Sequence, residues 1–89
     1  MKAGRGWSSR SEPKVVTRHV DAAKRECFMA CGRANFVGRV DAAGNVVVRE
    51  RYGMSGGRIG ERTVTSSSLT AELRAATRVA LGLGTRAQA

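Results

Sequence analysis

The stretch VVTRHVDAAKRECFMACGR, residues 15–33, decides how the chain is read. Val16, Val20, Ala23, Cys27, Ala30/Cys31 and Ala34 just beyond recur every three or four positions, the stripe of one helix face. Val15, Val16, Thr17 and Val20 are β-branched and resist helix, whereas Asp21 is a good N-cap for Ala22-Ala23-Lys24-Arg25. A helix is therefore expected over 21–32, stopped by Gly32, while 14–20 reads equally as helix or as a leading strand.

Downstream, Phe36 to Val40 and Val46 to Tyr52 are β-rich runs joined by Asp41-Ala42-Ala43-Gly44-Asn45, a hairpin signal. Gly53-Met54-Ser55-Gly56-Gly57 reads as a connector, and Arg58 to Thr65 as a third strand. Ser66, Ser67, Ser68 or Thr70 can cap a last helix with the apolar stripe Leu69, Leu73, Ala76, Ala80 and Leu83, ended by Gly82 and Gly84. The expected class is α+β, a two-layer fold with a three-stranded antiparallel sheet and two helices on one face. Its order is α-β-β-β-α, with room for an extra N-terminal strand. Residues 1–13 read as a flexible basic arm, 14–84 as a single domain and 85–89 as a frayed tail.

At 89 residues the chain has room for one small core, and with 4% aromatics that core must be mostly Val, Ala and Leu. Sixteen Lys and Arg against seven Asp and Glu leave +9, which points to polyanionic partners. Removing Lys2, Lys14 and Lys24 from the sixteen leaves thirteen arginines, planar forks suited to phosphate, carboxylate and base stacking. No apolar run approaches a membrane span, and no apolar segment follows the basic N-terminus as a secretory signal requires. A cytoplasmic home is expected, bacterial or, for a phage or plasmid gene, that of the host.

Side chains alternate across a strand. Pointing Phe36, Gly38, Val40, Val46, Val48, Tyr52 and Ile59 at the helices brings Arg39, Arg49, Arg51, Arg58 and Arg62 together on the opposite, wet face. Such a face would neutralise phosphates at strand spacing. It equally reads as the polar cover that any antiparallel sheet needs. Glu50 and Glu61 disturb the pattern, since this register places them on the core side. Trp7, between Arg5 and Arg10, could stack on a base or staple the arm to the domain.

Other chemistry is poorly supplied. Cys27 and Cys31 would share a helix face, but His19 lies roughly 12 Å away along a continuous helix, and a four-ligand metal site stays incomplete. No metal, cofactor or catalytic residue is expected. The single His19 has no evident acidic partner, Ser66-Ser67-Ser68 reads as a cap, and Gly56-Gly57-Arg58-Ile59-Gly60 lacks the lysine of a phosphate loop.

The expected helix–three strands–helix order resembles the double-stranded-RNA-binding domain over about 20–83. That family implies RNA reading by the first helix, a strand loop and a lysine-rich start to the last helix. Here that helix opens Ser67-Ser68-Leu69-Thr70-Ala71-Glu72 without lysine, so no functional residue is carried over. The function expected is a non-enzymatic accessory protein, phage- or plasmid-encoded, that binds nucleic acid (DNA or RNA) through Arg39, Arg49, Arg51, Arg58 and Arg62. Arg5, Arg10 and Trp7 would serve as an arm. The alternative is an inhibitor of the anti-CRISPR or anti-defence type, docking the same arginines on an acidic host protein. A homodimer is plausible in either case, because the core is thin.

Overall fold

A computed structural model describes residues 14–83. Five strands, β1 (Val15–Asp21), β2 (Glu26–Cys31), β3 (Ala34–Val40), β4 (Val46–Gly53) and β5 (Ile59–Thr63), are followed by one helix, α1 (Ser67–Ala80). The strands form a single antiparallel meander in sequence order, and α1 lies across one face of it. The three-stranded sheet with two helices is thus replaced by a five-stranded sheet with one, and the resemblance to the RNA-binding domain lapses with its first helix.

The correction falls wholly within residues 15–33. The segment expected to be a helix over 21–32 is a hairpin, and 14–20 is mostly strand β1. Asp21 does cap, but for a turn: its Oδ1 accepts from the Lys24 N–H at 3.1 Å, and the Arg25 N–H donates to the Ala22 carbonyl at 3.2 Å. Arg25 then takes a left-handed φ of 56°, which ends the helical run after one turn. Gly32, at φ 63°, turns β2 into β3 instead of capping a helix.

Within β2 the working period is two. Cys27 and Met29 are buried under α1, and Glu26, Phe28 and Ala30 face the other way. A bulge between Thr17 and His19 changes the parity of β1. It sets Val20 beside Cys27 on the helix side and His19 beside Phe28 on the open side.

The core lies between sheet and helix, built from Cys27, Met29, Phe36, Val46, Val48 and Leu73. Ser66 begins α1 by accepting the Leu69 N–H at 3.2 Å, as expected of its N-cap position. The helix comes closest at Gly38. A Cβ there would lie 2.0 Å from Thr77 Oγ1, so only glycine admits the fully buried Thr77 to the sheet. Thr77 in turn satisfies its hydroxyl by donating to the Leu73 carbonyl at 2.9 Å.

Among the described residues no helix is long and apolar enough to cross a membrane. The expected arm with Arg5, Trp7 and Arg10, and the expected tail, lie outside the described residues.

Candidate functional site

The face away from α1 carries three cross-strand rows that follow from the pairing. The first runs Asp21, Glu26, Arg39, Val47; the second His19, Phe28, Val37, Arg49, Thr63; the third Val16, Ala30, Asn35, Arg51, Glu61. Of the five arginines expected to converge, this face holds Arg39, Arg49 and Arg51. Arg62 pairs in register with Glu50 on the helix side, where its guanidinium lies 3.4 Å from the Glu50 carboxylate and 4.5 Å over the Tyr52 ring. Arg58 precedes β5 and donates from Nε to the Ser55 carbonyl at 3.4 Å. The cause is a one-residue difference in the register of β5: Glu61, expected on the core side, pairs with Arg51 and faces out, as does Ile59, which is 55% exposed.

Three arginines on one face do not make three equal sites. Arg39 is consumed by its neighbours: Nε donates to Glu26 at 2.9 Å, and its two terminal nitrogens donate to both oxygens of Glu61 at 2.8 and 2.7 Å. These bonds raise the Arg39 pKa, Glu61 contributing most, and they hold Glu61 below its ordinary range despite a desolvation cost. Reaching from β3 to both β2 and β5, Arg39 is a brace across the sheet. Arg49 is partly engaged, donating to the Glu61 carbonyl at 3.3 Å and to Thr63 Oγ1 at 3.4 Å.

Arg51 differs. Its guanidinium lies 5.0 Å from the centroid of the Phe28 ring, and Phe28 is stacked on His19 at 5.9 Å with 30° between the rings. Because β3 separates β2 from β4, the Arg51–Phe28 contact passes over β3. This roof accounts for Val37 being fully buried on a face that no helix covers. Arg51 Nε is shut off from solvent and has no hydrogen-bond acceptor among the described residues. Beside it a shallow pocket of about 80 Å³ is lined by Asn35, Arg51, Tyr52, Gly53 and Ile59.

The meander also fixes which charged residues share each end of the sheet. The starts of β1, β3 and β5 and the finishes of β2 and β4 lie together, which gathers Lys14, Arg33, Arg51 and Arg58 near one edge of the sheet. The other end holds Asp21, Glu26 and Asp41 together with Lys24, Arg25 and Arg39, and Asp41 is occupied by the Ala43 and Asn45 N–H groups at 3.0 and 2.9 Å.

Sequence reasoning therefore missed Phe28, His19, Asn35, Lys14 and Arg33. The alternation of Glu26, Phe28 and Ala30 with Cys27, Met29 and Cys31 was the signal that could have found the first of these. His19 and Cys27, expected roughly 12 Å apart along a continuous helix, are instead on opposite faces of paired strands. Among the described residues no group of three or more His, Cys, Asp or Glu could hold a metal ion. No family model, no curated protein and no solved structure matches the chain.

Proposed function

We propose that the protein binds nucleic acid through the open face of its sheet, acting by binding rather than by catalysis. Arg51 is the leading phosphate contact, Arg49 assists, and Arg33, Arg58 and Lys14 line the adjoining end. One observation carries this reading: among the described residues Arg51 presents a guanidinium that makes no ion pair and is braced on Phe28, on a chain of net charge +9. Arg39 and Arg62, each hydrogen-bonded to a carboxylate, are excluded from the binding set, and Arg49, whose Nε lies 3.9 Å from the Glu61 carboxylate, is kept only as the assisting contact. A cytoplasmic setting, bacterial or host, fits such a partner.

The test is fluorescence anisotropy of labelled oligonucleotides titrated against salt. If all five cations contact phosphate, log affinity falls with log salt at a slope of about −3.5 on single strands, or about a hundredfold between ~50 and ~200 mM. Arg51→Ala should reduce that slope by about one and weaken binding similarly across sequences. Absence of binding at about 50 mM salt, or affinity insensitive to salt, refutes the reading.

A further inference from the structure

We infer that the ligand is single-stranded and that one unpaired base enters the pocket between Arg51 and Ile59. This rests on the nucleic-acid reading above and adds to it the form of nucleic acid and the place where a base is held.

The argument begins with the planar groups on the open face. His19, Phe28 and Arg51 form a ladder across β1, β2 and β4, with separations of 5.9 and 5.0 Å. Phe28 has His19 on one side and Arg51 on the other, so further stacking can occur at the ends of the ladder. The Arg51 end adjoins the pocket of about 80 Å³, whose lining includes the half-exposed Ile59.

That cavity takes part of a heterocycle edge-on. The base would lie with one face on the Arg51 guanidinium and the other against Ile59, since guanidinium planes stack on bases as well as gripping phosphate. Asn35, paired in register with Arg51, supplies an amide with both donor and acceptor capacity at the base edge. Gly53, also in the lining, adds no side chain to fill it.

Charge complementarity selects the occupant. The sheet end beside the pocket gathers Lys14, Arg33 and Arg58, cations that can follow a phosphate backbone as its base turns inward. In a duplex the base faces are covered by their neighbours and cannot stack on a protein side chain, so the pocket favours a single strand.

The experiment uses the full chain and labelled oligonucleotides of equal length, as DNA and as RNA: a mixed-sequence single strand, the same sequence as duplex, and a single strand abasic throughout. At matched salt, the mixed single strand should bind about tenfold or more tighter than the abasic one, and tighter than the duplex. Arg51→Lys keeps the charge but removes the plane, and should abolish the preference for the base-bearing strand while leaving salt dependence intact. Asn35→Ala and Ile59→Ala should each lower affinity several-fold for that strand alone, with thermal melts confirming that all three variants fold.

Equal affinity for base-bearing and abasic strands, or undiminished preference in Arg51→Lys, overturns the base pocket and leaves the nucleic-acid reading standing. Failure of every oligonucleotide to bind at low salt overturns both.

Discussion

Replacing Gly38 by alanine tests how the helix is seated. A Cβ at this position would lie 2.0 Å from Thr77 Oγ1 and 2.9 Å from both Thr77 Cβ and Cγ2, where ordinary contact begins at 3.4 Å. Rotating Thr77 does not clear the space, because its Cβ is itself too near and its hydroxyl is tied to the Leu73 carbonyl at 2.9 Å. Either α1 lifts from β3 or the strand bows away.

Overpacking of this kind costs about 1–3 kcal/mol, and the lower backbone entropy of unfolded alanine returns about 0.5–1 kcal/mol in a strand. With three Thr77 atoms this close, the upper half of that overpacking range applies, and a net loss of ~1–2.5 kcal/mol corresponds to a drop of roughly 4–20 °C in Tm for a domain of this size. Circular-dichroism melts measure it directly. Thr77→Ala in the Gly38→Ala background should recover part of the loss, not all, since the Thr77 Cβ contact at 2.9 Å remains. Because α1 lies on the side opposite the open face, nucleic-acid affinity of the folded fraction should not change. A Gly38→Ala protein as stable as the parent, or a double-mutant cycle without coupling between the two positions, would show that the helix does not rest on Gly38.

Three further outcomes follow from the same contacts. Glu61 is held below its ordinary pKa of 4.5, chiefly by hydrogen bonds from Arg39 and then by the charges of Arg39, Arg49 and Arg51. Its contribution to stability is therefore fully present above pH 4.5 and drains away as pH falls through the lower native value; Glu61→Gln should flatten the fall of Tm on acidification below pH 4.5. Burial pushes the Cys27 thiol up and leaves none of it exposed, so in a Cys31→Ser variant a thiol reagent should label Cys27 only as fast as the protein opens; rapid labelling of native protein would contradict the core assignment. Ser66→Ala removes the acceptor for the Leu69 N–H and should lower stability by about 1 kcal/mol, read as a Tm lower by about 4–8 °C.

Much of the candidate site was legible one residue at a time and illegible as an assembly. Alternation along Phe36–Val40 and Val46–Tyr52 correctly separates Arg39, Arg49 and Arg51 from the core side of their strands. It does not say which face of β5 turns inward, because Ile59, Glu61 and Thr63 are no more apolar as a set than Gly60, Arg62 and Val64. That choice is made by the connector, closed where the Met54 N–H donates to the Arg58 carbonyl at 2.7 Å, which brings Glu61 opposite Arg51. A slip of one position exchanges every side chain of a strand between faces. Arg62 was lost from the expected site for that reason, and Glu61 joined it.

The amino-acid order alone determined the excess of positive charge, the strand content from Phe36 onward, and the capped C-terminal helix with its Leu69, Leu73, Ala76 and Ala80 stripe. These are local properties, written in composition, in periods of two and 3.6, and in a serine placed to cap the first turn. Tertiary structure alone decided residues 15–33, where apolar spacing suits helix and hairpin alike. The hairpin prevails because it lets β2 pair on both edges, with β1 and with β3, and sends Cys27 and Met29 under α1. A helix there would forgo both ladders. The Phe28–Arg51 contact depends on the same choice, since it joins residues that meet only after three strands have been laid side by side.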